Sequence, residues 1–433
     1  MGSFRLPENM RLGVAAAATQ IEGGDTNNSW YAWYKEGHIK DGSDPSHAAG
    51  HYDRWEDDAA LMKELGIQIY RMGIEWSRIE PEEGKFDEAA LAHYRAEIAL
   101  LRSYGIDVLL TLHHFTNPLW FEERGAFLWP DAKAAFLRFV ERVVSYLGDL
   151  VEDYVTINEP NVYATLGYFY GEWPPGQRSF SKTMQVMRTL AGCHIGAYGR
   201  IHRIRKEMGM AQTRVGFAHH MRVFAPQQKN NPVHRMGAKL SEWFFQTALE
   251  RLFYEGKGAF LLGSPQGVKP GLYCDFHGLN YYTRSTVAGI GDGVRKNAPV
   301  NDLGWEIYPD GIVECVAHLY KLYKLPVYIT ENGTCDNTDA FRSRYIAEHL
   351  EALTKSGLPV ERYYHWCFTD NFEWLEGESS RFGIVHTEYQ TLHRTIKESG
   401  RFFASIIAEH GVSQALHAQY CNVPYRTNGE GKA

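Results

Sequence analysis

Short apolar runs recur along the chain, separated by longer stretches in which apolar residues return every three or four positions. Eight of the runs, at 12–18, 67–74, 107–114, 154–159, 215–220, 276–282, 327–331 and 363–368, are rich in β-branched and aromatic residues. Most stop near a polar, Gly or Pro residue, as buried strands do where they break into loops. Between them the period changes to that of a helix. From Asp131, the residues Phe136, Val140, Val143 and Leu147 line up on one helical face, as do Leu91, Tyr94, Ile98 and Leu101. Further helices are expected near 57–65, 184–208, 238–255, 311–323, 340–355 and 394–409. Strand followed by helix, eight times over, predicts an α/β chain of parallel strands with helices outside. The closed solution is a single (β/α)8 TIM barrel; an open doubly wound sheet is the alternative. No linker or low-complexity segment divides the chain, so residues 1–427 are expected to form one catalytic domain. The polar stretches 227–233 and 290–302 are expected at the surface, and 428–433 as a disordered tail.

Two of the predicted strands end on a glutamate. Thr156-Ile157-Asn158-Glu159-Pro160 follows Tyr154-Val155, and Thr330-Glu331-Asn332-Gly333 follows Val327-Tyr328-Ile329. In α/β barrels the C-terminal mouth of the strands carries the chemistry. Two carboxylates so placed, far apart in sequence, suggest a pair of acids facing each other across a pocket, the arrangement that cleavage of a glycosidic bond requires. The other strand ends supply Gln20 and Glu22, Arg71, Glu75 and Trp76, His113 and His114, His219 and His220, Asn280 and Tyr282, and Trp366, Asp370, Asn371, Glu373 and Trp374. Amides, imidazoles, carboxylates and indoles at one mouth suit a sugar, whose hydroxyls need donors and acceptors and whose C–H faces need aromatic platforms.

Composition narrows the classes. With 433 residues, 44% of them hydrophobic, the chain can bury a large core, and it has no apolar stretch long enough to span a membrane. A net charge of −7 argues against nucleic acid and anionic membrane as partners. The six cysteines show no CxxC spacing and the first residues lack the apolar run of a signal peptide, which together predict free thiols and a cytoplasmic location. His113-His114 and His219-His220 could be read as metal ligands. Neighbours in a strand point to opposite faces, however, and no HxH ends the first strand, so no metal is expected. Gly289-Ile290-Gly291-Asp292-Gly293 lacks the strand–helix setting of a dinucleotide loop.

The segments Thr156–Pro160, Asp275–Tyr282, Ile329–Gly333 and Asp370–Trp374, in this order, closely resemble glycoside hydrolase family 1, the retaining β-glycosidases with a (β/α)8 barrel. The likeness runs from Gln20-Ile21-Glu22-Gly23 through Arg381-Phe382-Gly383 to Arg394-Thr395. It implies that Glu159 is the general acid/base and Glu331 the nucleophile. It places Gln20, His114, Asn158, Glu373 and Trp374 on the glycone hydroxyls, Trp366 under the sugar ring and Phe382 among the substrate-binding residues. Arg71, Asn280 and Tyr282 are implied to position the nucleophile. Glu at 159, where the thioglucosidases carry Gln, indicates an O-glycosidase. Glu373 and Ser380 disfavour a 6-phosphoglycoside, because a carboxylate repels the phosphate and no lysine is present to pair with it. The resemblance thus implies a β-glucosidase with β-galactoside and β-fucoside activity, small β-glycosides or short oligosaccharides as substrates, and no cofactor. A β-galactosidase or β-fucosidase is the alternative, an inactive sugar-binding barrel the non-enzymatic one, and the oligomeric state, a homo-oligomer included, stays open. The chain departs from the family at Ala16, Thr19, Phe115 and Glu378, the last expected as an added carboxylate at the pocket rim.

Overall fold

The computed structural model describes residues 2–259, 261–289 and 291–429. Eight parallel strands form its centre: β1 (Arg11–Ala15), β2 (Ile69–Gly73), β3 (Asp107–Thr111), β4 (Asp153–Asn158), β5 (Arg214–Pro226), β6 (His277–Ala288), β7 (Val327–Asn332) and β8 (Val360–Trp366). Each strand pairs in parallel with its successor, and β8 pairs with β1, so the sheet closes on itself and no barrel edge is left open. Every predicted strand is present, and the closed barrel replaces the open-sheet alternative. β1, β2, β4 and β7 are buried along almost their whole length, as expected of strands covered on both faces.

The helices pack outside through the stripes seen in the sequence. In Ala132–Leu147, the residues Phe136, Val140, Val143 and Leu147 are all fully buried. Glu88–Ser103 buries Leu91, Tyr94, Ile98 and Leu101, and Asp87 caps it by accepting from the backbone N–H groups of Ala89 and Ala90. Among the described residues, no helix is long and apolar enough to cross a membrane.

Several expectations need correction or refinement. β5 and β6 run well past 220 and 282, remaining paired as far as Pro226 and Val287. The stretch 227–233 lies at the surface as expected, although its end enters a helix, because Asn231 caps Pro232–Glu242. Within 290–302, Ile290 lies outside the described residues, Gly291–Gly293 adds an antiparallel strand to β6, and Pro299–Val300 pairs with Arg426–Thr427. Residues 394–396 are not helical: His393–Ile396 pairs with Val385–Glu388 as a hairpin, and the helix begins at Glu398. Of the tail, Asn428 exchanges backbone hydrogen bonds with Asn297 and Ala298, both 2.8 Å. Residues 430–433 lie outside the described residues.

Candidate active site

The backbone is bent sharply where the polar residues gather. Glu159 follows β4 directly in the left-handed region (φ 41°), and Pro160 then opens a short helix. Phe115 (φ 69°) and Trp374 (φ 49°) are likewise left-handed, conformations that cost non-glycine residues energy and cluster at functional sites. Behind Glu331, a Cβ added to Gly333 would lie 1.8 Å from the carbonyl oxygen of Trp366, so only glycine lets this loop pass so close to the end of β8.

These elements enclose a cavity of about 400 Å³ at the strands' C-terminal mouth. His114, Glu159, Tyr282, Glu331, Trp366, Glu373, Trp374 and Phe382 line it. Gln20, Arg71, Asn158 and Asn280 are fully buried and bond to those lining residues from behind.

Glu331 is held at both oxygens. Arg71 donates to Oε1 at 2.5 Å and the Tyr282 hydroxyl to Oε2 at 2.6 Å. Arg71 is fixed in turn by the Thr330 carbonyl (3.1 Å), Asn158 Oδ1 (2.6 Å) and Thr111 Oγ1 (3.1 Å). Burial and the neighbouring Glu159 act upward on the Glu331 carboxyl, and the charge of Arg71 with the bonds from Tyr282 and Arg71 acts downward.

Glu159 is held at one oxygen only. Asn280 Nδ2 (2.8 Å) and His220 Nδ1 (2.9 Å) both meet Oε1, and no described residue bonds Oε2. Burial acts upward on this carboxyl, while His220, the bond from Asn280 and the charge of Arg71 act downward. Asn280 therefore serves Glu159, not Glu331 as expected. Thr330 Oγ1 donates to its Oδ1 at 2.7 Å, which turns the amide N–H groups away from β7 towards Asn158 and Glu159.

A chain of fixed donors sets the next residue. Asn158 Oδ1 accepts from Arg71 and Asn280, so its other atom is the amide nitrogen, which donates to His114 Nε2 at 3.0 Å. His114 is thus neutral with its proton on Nδ1, and burial and Arg71 hold it well below its usual range. That Nδ1 and Gln20 Oε1 find no partner among the described residues. Gln20 Nε2 instead donates to Phe372 O (2.9 Å), Glu373 Oε2 (3.1 Å) and Asn371 Oδ1 (3.2 Å). Burial, then Glu331, pushes Glu373 up to about 8 against the pull of Gln20. The rings of Trp366 and Trp374 each stack on His114, at 5.7 and 5.9 Å between centroids.

Other polar strand-end residues brace the structure. Asp370 is paired with Arg381 and Lys397, and Glu22 with Arg78. His113 turns away from the cavity to Asn117. Thr19 bonds Glu75 and Thr116 within the buried wall. Glu378 does not line the cavity; its backbone N–H binds Asp41, and Glu376 stands at the wall instead. Sequence reasoning did not single out Trp173, Trp305 or Arg222, which also line the cavity. The two tryptophans lie in connections without strand periodicity, and Arg222 lies on the unforeseen extension of β5. Among the described residues, no group of three or more His, Cys, Asp or Glu side chains could hold a metal ion.

Comparison with known proteins agrees with this geometry. The model of Glycosyl hydrolase family 1 matches residues 3–259 and 273–412. A β-glucosidase of Agrobacterium sp. is 31% identical, the match covering 95% of this chain and 98% of that protein. A β-galactosidase of Pyrococcus woesei is 29% identical over 95% of this chain and 99% of its own length. Among solved structures, a β-glycosidase from Pyrococcus horikoshii superposes with a TM-score of 0.88 at 32% identity, covering 98% of this chain and 99% of the other. The β-glucosidase from Thermotoga maritima in complex with glucoimidazole gives 0.87 at 28% identity, covering 94% and 100%.

Proposed function

The chain belongs to glycosyl hydrolase family 1 and is an O-glycosidase, and from that premise we propose that it is a retaining β-glycosidase acting chiefly as a β-glucosidase. The observation that carries this reading is the unequal treatment of the two carboxyls. Glu331 has a permanent cation against it, Arg71, and a hydroxyl on its other oxygen, which suits an attacking anion. Glu159 is anchored by one oxygen and offers the other, which suits a proton donor. In the first step Glu331 bonds to the anomeric carbon while Glu159 protonates the departing oxygen. Esterification removes the charge of Glu331, the proton affinity of Glu159 falls, and Glu159 then takes a proton from the incoming water.

The glycone preference rests on Glu373, whose carboxylate can serve an equatorial or an axial 4-hydroxyl together with the 6-hydroxyl. β-Galactosides and β-fucosides are therefore expected as further substrates, in keeping with relatives named as β-glucosidases and β-galactosidases. The six buried free thiols support a cytoplasmic location.

The test is the stereochemistry of the product. Proton NMR should show the β-anomer formed first; first-formed α-anomer would overturn the reading. Glu331→Ala should reduce hydrolysis on the order of 10⁴-fold or more, and added azide should yield the α-glycosyl azide. Rates on 4-nitrophenyl β-glucoside, galactoside, fucoside, xyloside and mannoside then rank the glycones.

A further inference from the structure

Resting on the reading of Glu159 as acid/base, we propose that Arg222 and His220 together set its proton affinity: Arg222 keeps His220 a neutral, Nδ1-protonated donor, and that neutrality lets Glu159 hold its proton until a glycoside is in place. Both are positioning residues, two apart on β5, and both reach the cavity.

The argument follows from who can donate. Arg222 Nη2 lies 3.3 Å from His220 Nε2. A guanidinium has only donors, so Nε2 must accept and carries no proton. An imidazolium needs protons on both nitrogens, so this contact excludes it. The one ring proton sits on Nδ1 and points at Glu159 Oε1, 2.9 Å away. Oε1 accepts a second bond from Asn280, so the acid proton belongs on Oε2.

Were His220 cationic instead, its charge would stabilise the Glu159 carboxylate. An opposite charge this close depresses a carboxyl by about 1–3 pH units, leaving it ionised when it should donate. Apart from Glu159 itself, no carboxylate among the described residues makes a hydrogen bond to the ring. The imidazole lies between the ring of Tyr282, stacked at 5.9 Å, and the edge of Phe245 at 5.6 Å. Glu331 is taken up by Arg71 and the Tyr282 hydroxyl, and Asp292 lies 3.8 Å from the other terminal nitrogen of Arg222, Nη1. Arg222 is itself anchored by Ser285 Oγ (3.3 Å) and lies over the Phe245 ring at 4.9 Å. Through the cycle the proton passes from Glu159 Oε2 to the leaving oxygen, as the C1–O bond breaks and the bond to Glu331 forms. A proton returns to Glu159 from water in the second step. His220 neither gains nor loses one.

The experiment compares Arg222→Met with the unmodified enzyme in the pH profile of kcat/KM for an alkyl β-glucoside. Loss of the guanidinium frees Nε2 to protonate, so the alkaline limb should move to lower pH by about one unit or more. A 2,4-dinitrophenyl β-glucoside, which needs no proton, should change much less. Arg222→Lys should restore most of the limb. In a His220→Asn background, which cannot ionise, Arg222→Met should leave the limb where it was. Long-range ¹⁵N NMR of the intact enzyme should show His220 as the neutral Nδ1–H tautomer, with an imidazolium appearing only in Arg222→Met. The proposal is overturned by an unmoved limb, by a fall uniform across pH and leaving groups, or by an imidazolium or Nε2–H tautomer in the unmodified enzyme. If instead Glu159→Ala slowed both substrates equally, the acid/base reading itself would fail, a separate result.

Discussion

The network around His51 and the network around Glu159 and Glu331 are both buried, both charged and built from the same residue types, yet they end differently. His51 bonds Asp58 at 2.8 Å and Glu97 at 2.9 Å, and Arg394 completes Asp58 with bonds of 2.9 and 3.1 Å. Each side chain there has found its partners within the protein. At the barrel mouth, Gln20 Oε1 and His114 Nδ1 have none among the described residues, both bonds to Glu159 fall on Oε1, and three neighbouring residues adopt left-handed backbone. Buried polar groups that satisfy one another stabilise a fold. On the proposed reading, those that keep capacity in reserve at the barrel mouth are held for a sugar, and the fold elsewhere must tolerate their cost.

Breaking the closed network should cost most. Asp58→Ala leaves Arg394 and His51 without their shared carboxylate, so stability should fall by about 3–5 kcal/mol in urea denaturation, with activity per folded molecule little changed. The contribution of His51 has a definite sign with pH. Burial disfavours its charge, but Glu97 and Asp58 raise it from 6.5 to about 10. Its stabilisation is therefore complete below about pH 6.5 and lost as pH rises through 10, a loss His51→Gln should abolish. Urea melts at pH 6, 8 and 10 check both points.

In the open network the effect should appear in catalysis. Glu373→Ala should cost glucosides and galactosides roughly 2–4 kcal/mol in transition-state binding, and fucosides, which lack the 6-hydroxyl, noticeably less. Equal loss in kcat/KM for all three sugars would remove Glu373 as the specificity residue. The smallest effect is expected on folding. Glu331→Ala should lower stability by only about 1 kcal/mol, because Arg71 keeps Thr330 O, Asn158 and Thr111 as acceptors and repulsion with Glu159 is relieved. A loss as large as that of Asp58→Ala would erase the distinction between the two networks.

The barrel was legible because each strand is a compact apolar run and each helix a stripe, signals local in sequence. The extension of β5 to Pro226 was not, since it rests on pairing with β6 rather than on any apolar run. Arg394 shows the converse error: it continued a helical pattern, but its hairpin strand exists because residues 385–388 lie alongside. At the site, the two carboxylates proposed to carry the chemistry announced themselves at strand ends. The partner of Asn280 did not, because Thr330 decides which way the amide turns. The same limit hid Arg222, whose meaning depends on which nitrogen of His220 it meets.

The anchoring of Glu159 by a single oxygen has a directional consequence. With Oε1 saturated by Asn280 and His220, the carboxyl has one active edge, fixed in the frame of the barrel. A sugar that entered back to front would present its bridging oxygen to no proton, however well its hydroxyls were matched. On the proposed reading, the group that donates the proton thus also acts as a reader of orientation, rejecting misdirected guests by silence rather than by collision.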